Sequence, residues 1–233
     1  MSTTFTPLRA LKIFATALVM LCCLQPRAAA SVQKPASLPT GQVARCFDGD
    51  TLQLTDRRVI RLAGIDSPEL TTAAKKTHYY ARQARQKLTR LALNKKVRLL
   101  PAGTKDKDHY GRIIADVLLE DGQSLSDIMV SSGAAFFYPH QNLDNKLQQR
   151  LKALQQQAVR ERRGLWAHLL SQPQAQKNYI GNQESLRFFP ADCPEVQRIK
   201  PRNRVHFGTL MDAFLTGYAP ARICDFWPTV SEK

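Results

Sequence analysis

The amino-acid sequence predicts an α+β chain, mainly β: a five-stranded barrel of the oligonucleotide-binding (OB-fold) type with about three packed helices, then a small C-terminal module. Three observations carry this. Short runs of strand-forming residues recur at hairpin spacing after residue 42. Stretches with apolar residues three and four apart interleave with them and follow them. Near Gln172 the composition changes. Pattern alone also permits other α+β folds. The 233 residues suit one domain plus an appendage, at roughly 100 to 200 residues per domain.

VARCF, TLQLT and RVIRLAGI, separated by the turn signals DGD and TDRR, read as a meander of three strands. Over Ala73 to Leu93, the spacing of Tyr80, Ala84, Leu88 and Leu91 with charges between them predicts an amphipathic helix. KVRLLP and GRIIADVLLE give two more strands, the second closed by the Asp121-Gly122 turn. Ser124 to Ser132 is a short helix stopped by Gly133. Leu143, Leu147, Leu151, Leu154 and Ala158 form the face of a final helix ending in RRGLW. Trp166 is expected to pack that helix on the barrel, and Trp227 to pack within the tail.

The first thirty residues are of another kind. Arg9 and Lys12 precede the apolar run Ile13 to Leu24, and Ala28 to Ala30 supply small residues for cleavage. This is the pattern of a secretory signal peptide over 1–30, cut near Ala30. The run is too short for a membrane-spanning helix, which needs about 20 apolar residues. A secreted or periplasmic location follows, without stable membrane insertion. Residues 31–41 read as a flexible lead, 42–169 as the barrel domain, 170–178 as a linker and 179–228 as the C-terminal module.

The formal charge is +15, and loss of Arg9, Lys12 and Arg27 with the leader would leave +12. Residues 170–233 hold eight basic and six acidic residues, so 31–169 carry the remaining +10. A basic domain attracts polyanions, of which nucleic acid is the commonest; the alternatives are a soluble protein that happens to be basic and one that meets anionic envelope surfaces. Two of the five cysteines fall in the leader, leaving Cys46, Cys193 and Cys224. Outside the cytoplasm the last two could bridge, with Cys46 the odd thiol.

Individually the polar motifs have plain explanations. Asp48-Gly49-Asp50 suits a β-turn. Ser67-Pro68-Glu69 suits a helix start, with a serine cap, an early proline and an acid facing the helix dipole. Tyr110-Gly111-Arg112 would open a strand. DKDHYG is no calcium-binding loop, because Val117 stands at its twelfth position where an acid is required.

Together they suggest chemistry. The meander can bring Asp50 and Asp66 together as hard oxygen ligands, which suit calcium in an irregular loop, and no histidine and cysteine cluster at zinc spacing accompanies them. Arg61 precedes Asp66 by five residues, an odd offset that sends strand side chains to opposite faces. Their meeting therefore requires a bulge or bend, for which Gly64 is a candidate, and the bend is expected between Gly64 and Pro68. A cation to draw charge from phosphoryl oxygens, a carboxylate to act on water and guanidiniums to grip the transition state match phosphodiester hydrolysis.

DGDT (48–51), RLAGIDSPE (61–69) and HYGR (109–112), with a terminal helix closing in GLW, resemble the staphylococcal nuclease (thermonuclease) family over residues 42–167. The resemblance implies that Asp50, Asp66 and the Ser67 backbone carbonyl hold one Ca2+ ion, with Asp48 nearby through water. It implies that Glu69 acts on the attacking water, and that Arg61 and Arg112 bind the scissile phosphate, Arg61 also serving the transition state. Tyr110 would lie along a terminal phosphate, and Tyr138 is a further candidate for stacking. Partners would be DNA and RNA, cut with little sequence preference to leave 3′-phosphate ends, by a monomer. The short second turn and HYYARQA, where many relatives have a glycine, depart from the pattern without touching a proposed catalytic position.

The tail, YIGNQESLRFFPADC to GYAPARIC, resembles the small zinc-binding module at the front of the adaptive-response DNA-repair methyltransferase. Phe189, Cys193, Ala221 and Cys224 stand at its four ligand positions, and two ligands cannot hold a structural zinc. No zinc is expected there. A Cys193 to Cys224 disulfide is expected instead, which would stabilise the module by roughly 3 to 4 kcal/mol on a chain-entropy argument. RIKPRNR is either a further basic contact or a solvated loop. No histidine receives a catalytic role. Rival expectations are a nucleic-acid-binding protein without catalysis and a structural envelope protein.

Overall fold

In the computed structural model of the chain, residues 1–2, 39–71 and 76–230 are described. The expected leader and most of the lead therefore lie outside the described residues. The first strand among the described residues is β1 (Thr40–Cys46), which already includes Thr40 and Gly41 of the expected lead. The sequence continues through β2 (Thr51–Leu54), β3 (Val59–Leu62), the two-residue β4 (Ile65–Asp66) and β5 (Thr77–His78), α1 (Ala81–Ala92), β6 (Lys96–Pro101) and β7 (Ile113–Leu118). After these come α2 (Leu125–Ser131), β8 (Phe136–Phe137), α3 (Asn145–Arg160) and α4 (Leu165–Leu169).

Five of the strands close into a barrel in the order β1-β2-β3-β7-β6. Its pairings are antiparallel except β3 with β7, which run parallel with Ile60 opposite Ile113. A parallel pair needs a long crossover, here supplied by α1 and β6. Strand alternation fills the interior: Val43, Leu52, Ile60, Leu62, Val97 and Val117 are buried, while Lys96 and Arg98 point outward. Helices α1, α2 and α3 pack on this core through Ala84, Leu88, Met129 and Leu151. The architecture is the closed OB-type barrel with helices that the sequence predicts.

Three helical expectations differ from the structure. The first helix was expected from Ala73 to Leu93, but α1 begins at Ala81, because Thr77 and His78 are drawn into β5 and Tyr80 turns left-handed at φ 73°. No helix starts at Ser67-Pro68 either: the Ser67 N–H, which a helix start would leave unpaired, donates to the Asp50 carboxylate at 2.7 Å. The final helix α3 starts one residue after its cap Asp144, whose carboxylate accepts from the Leu147 N–H. Leu143 thus precedes the helix instead of lying on it.

The remainder folds as β9 (Tyr179–Asn182), β10 (Arg187–Pro190), β11 (Arg204–Phe207), α5 (Leu210–Thr216), β12 (Ala219–Pro220) and β13 (Thr229–Val230). Four of these strands form a sheet in the order β11-β9-β10-β12. Cys193 and Cys224 are joined by a disulfide across 5.8 Å between Cα atoms. Residues 170–178, expected as a linker, hold a 3-10 turn over Pro173–Gln176 with Ala175 buried.

A second apolar cluster joins this sheet to the end of the barrel domain. Trp166, expected against the barrel, instead meets Phe214 of α5 edge-on at 4.7 Å between ring centroids, because α4 turns its apolar side toward α5. Trp227, expected to pack within the tail, lies against Phe136 of β8 at 5.5 Å as well as against Phe226, and its indole N–H donates to the Tyr79 carbonyl. The buried Gln155 of α3 adds a polar tie: it accepts from the Phe137 N–H and donates to the Phe214 carbonyl, at 2.7 and 2.8 Å.

Candidate active site

The site is built on the mouth of the barrel. Asp48 makes a local turn, its Oδ1 accepting from the N–H groups of Asp50 and Thr51 at 2.9 and 2.7 Å, which sets Asp50 at the head of β2. Asp50 is buried and receives the Thr51 hydroxyl and the Ser67 N–H. Thr51 pairs with Arg61 across the β2–β3 ladder, which aims Arg61 at the same end.

The odd offset between Arg61 and Asp66 is resolved by the turn at Ala63-Gly64. Gly64 takes φ +72°, and a Cβ there would fall 2.6 Å from Leu151 and 2.8 Å from Leu143, so glycine is required both by conformation and by space. After the turn, β4 pairs with β8 rather than continuing the barrel. Asp66 thereby returns to Arg61, whose Nη2 donates to its Oδ1 at 2.6 Å. Arg61 Nη1 lies 2.6 Å from Asp50 Oδ1 as an ion pair without hydrogen-bond alignment. One guanidinium spans two buried carboxylates.

Asp108 builds the facing wall. Its Oδ1 accepts from the N–H groups of Tyr110 and Arg112, and its Oδ2 from Arg112 Nε at 2.6 Å. Arg112 Nη1 reaches the Thr51 hydroxyl at 3.4 Å, linking this wall to the Asp50 strand. Tyr110 is exposed, with the Arg112 guanidinium 5.3 Å from its ring centroid. Arg61, Arg112, Tyr110 and Tyr138 share a cleft of about 380 Å³ with Lys105 and Lys107. One face of Tyr138 is covered by the Arg187 guanidinium at 3.6 Å, so at most its other face is open to stacking.

Glu69 sits on the loop after Asp66, its carboxylate partly exposed. The loop is held at its base: the Glu69 N–H donates to His78 Nδ1 at 3.2 Å and the His78 N–H donates to the Glu69 carbonyl at 2.9 Å. The other ring nitrogen of His78 contacts Asp225 Oδ2 at 2.7 Å. Two arms of the tail thus reach the site, since Arg222 Nη2 also lies 3.3 Å from Asp66 and 3.4 Å from Glu69. Sequence reasoning missed Arg222, His78 and Asp225. Their placement depends on the tail folding back, for which the local pattern carries no signal.

The charges are strained against one another. Burial pushes Asp48 up to about 7, with the neighbouring Asp50 charge adding to the effect. Burial likewise pushes Asp66 up to about 6, against the pull of Arg61. Burial also acts on Asp50, but Arg61 and the hydrogen bonds from Thr51 and Ser67 outweigh it and hold that carboxyl below its usual range. Among the described residues no group of three or more histidine, cysteine or acidic side chains gathers at one point. The donor chemistry of Asp50, Asp66 and a backbone carbonyl is nonetheless all oxygen, and the two carboxylates already converge on a single cation in Arg61. This fits a hard divalent ion that takes its remaining ligands from water or substrate.

The family model described as staphylococcal nuclease homologue matches residues 59–168. An "Uncharacterized endonuclease" of Escherichia coli is 35% identical over 130 residues, which cover 54% of this chain and 76% of the relative. The chain belongs to the staphylococcal nuclease family. The thermonuclease of Staphylococcus hyicus is 29% identical over 140 residues, covering 57% of this chain and 79% of its own length. Endonuclease YhcR of Bacillus subtilis is 26% identical over 204 residues, 76% of this chain and 16% of that protein. This member of the family is a nuclease, a phosphodiester hydrolase.

Proposed function

We propose that this nuclease is an exported, calcium-dependent enzyme that cuts both DNA and RNA with little sequence preference and leaves 3′-phosphate ends. The observation that supports it most is the Arg61 guanidinium held between Asp50 and Asp66, with Glu69 on one side and the Arg112 cleft on the other. Asp50, Asp66 and the Ser67 carbonyl would hold the Ca2+ ion, which when bound draws charge from the phosphoryl oxygens. Asp48 supports the set from behind.

The protein groups then divide the work. Arg61 and Arg112 present paired donors to the scissile phosphate, a match that a lysine point charge lacks. Glu69 takes the proton of the attacking water. Tyr110 flanks a neighbouring phosphate, and the open face of Tyr138 offers a platform for a base. Contacts to phosphate in preference to base edges would leave the enzyme indifferent to sequence. Export is supported by the leader pattern and by the disulfide, which persists in oxidising compartments.

The test is cleavage of DNA and RNA by the purified chain lacking residues 1–30, with calcium and with EGTA, and analysis of the product ends. Expected are cleavage of both polymers with calcium, none in EGTA, and 3′-phosphate termini. Full activity in EGTA would overturn calcium dependence. Salt-sensitive binding without cleavage would favour the non-catalytic alternative.

A further inference from the structure

We propose that Arg222 is a third substrate-binding arginine of the active site, delivered by the C-terminal tail and held in place by the Cys193–Cys224 disulfide. This rests on the nuclease site described above, but no part of the family motif contains it: the family match ends at residue 168.

Position comes first. Arg222 lines the cleft of Arg61, Arg112 and Tyr110, and it also lines the neighbouring cavity of about 310 Å³ that contains Asp66, Ser67 and Glu69. It stands on the ridge between them. A phosphodiester whose scissile phosphate meets Arg61 and Arg112 lies in a cleft that Arg222 also lines, and Arg222 borders the cavity of Glu69 as well.

Its bonding leaves it available. Arg61 is buried and meets its carboxylates at 2.6 Å, whereas Arg222 is 61% exposed and touches Asp66 and Glu69 only through Nη2, at 3.3 to 3.4 Å. These contacts are long for charge-assisted hydrogen bonds. They orient the side chain while leaving the rest of its donor fork toward solvent. A guanidinium in that state binds phosphate at little cost in lost contacts.

The backbone, by contrast, is pinned on both sides. Before Arg222, β12 pairs with β10 and the Ala221 N–H donates to the Phe188 carbonyl at 2.9 Å. After it come the Cys224 disulfide, the Asp225 contact to His78, the Trp227 indole bond to Tyr79 and the pairing of β13 with β5. The tail thus crosses the Glu69 loop as a strap, with the disulfide two residues from the arginine. Reduction removes the covalent pin nearest the arginine and loosens the strap there, so that Arg222 is held on the ridge less firmly.

Binding of a short fluorescent single-stranded oligonucleotide, measured by anisotropy in EDTA across a salt series, tests this apart from turnover. Arg222→Ala is expected to weaken binding about tenfold at low salt, and to lower the slope of log affinity against log salt by about 0.7, the value for one lost phosphate contact on a single strand. Its melting temperature should match the wild type, since the side chain is largely exposed. Reduction with dithiothreitol should weaken wild-type binding and leave Arg222→Ala unchanged. Unaltered affinity and slope, or tighter binding and faster cleavage as expected of a plug, would overturn the proposal; equal losses on reduction in both proteins would overturn the role of the disulfide. Absence of cleavage by the wild type with calcium would count against the nuclease reading, which makes the two failures distinguishable.

Discussion

Glu69 differs from the other acids of the site in what holds it. Asp50 and Asp66 are buried and tied to Arg61, while Glu69 is partly exposed, its carboxylate at a long 3.4 Å from Arg222 and its backbone clamped by His78. A group placed so can take a proton and release it to solvent. Glu69→Gln keeps the size and the backbone clamp but removes the proposed base, so turnover should fall about 10²- to 10⁴-fold with binding in EDTA within about twofold of wild type. Single-turnover cleavage together with anisotropy checks both halves. Wild-type turnover in this variant would assign the base elsewhere.

At the scale of elements, the site depends on two interruptions of regular structure. The first, the turn at Gly64, was partly legible: a meeting of Arg61 and Asp66 would require a bend, for which Gly64 was a candidate. Gly64→Ala combines positive φ with a Cβ driven into Leu143 and Leu151, so a loss of about 2 to 4 kcal/mol in denaturant unfolding is expected, with activity falling as the Arg61 to Asp66 contact is displaced. The second, the Glu69 loop closed by β5, was not legible. The helix expected from Ala73 is cut short by pairing of Thr77 and His78 with Val230 and Thr229, partners some 150 residues away that no local periodicity can announce. Asp225 carries a pH signature of this closure. Burial pushes its carboxyl up, but the hydrogen bonds it accepts from His78 Nε2 and from the Trp227 N–H win and hold it below the usual range. A depressed folded value contributes stability above the unfolded carboxylate value near 4, lost as pH falls through the folded one. Asp225→Asn should therefore melt about 1 to 2 °C below wild type at pH 6, a small gap because solvent screens this partly exposed pair, and the gap should narrow as pH falls below the unfolded carboxylate value. A gap independent of pH would remove Asp225 from that account.

Over the whole molecule, strand alternation announced the barrel, and DGDT, RLAGIDSPE and HYGR announced the residues gathered at its mouth, because both signals are local. The second apolar cluster is not local. Phe136, Val159, Leu165 and Trp166 from the barrel domain meet Tyr179, Phe188 and Phe214 from the tail, and the sequence shows only that each run is apolar. Composition suggested a linker at 170–178, yet Leu170 and Ala175 there are buried in the same cluster. The nuclease fold and the tail thus share a core. Chain termination after Leu170 would strip the cover from Trp166, Leu165 and Phe136 and leave the buried Gln155 amide without the Phe214 carbonyl. Exchanging that hydrogen bond for one to water costs about 0.5 to 1.5 kcal/mol, in addition to the apolar area returned to water. The shortened chain, although it contains every family motif residue, is expected to unfold at lower denaturant with a smaller m-value and to bind a hydrophobic dye such as ANS. Gln155→Leu in the full chain separates the two contributions: it should lose stability while keeping the m-value, since the apolar contacts remain. A shortened chain as stable as the full one would mean that the tail only rests on a self-sufficient barrel, and the strap carrying Arg222 would then lack its anchor.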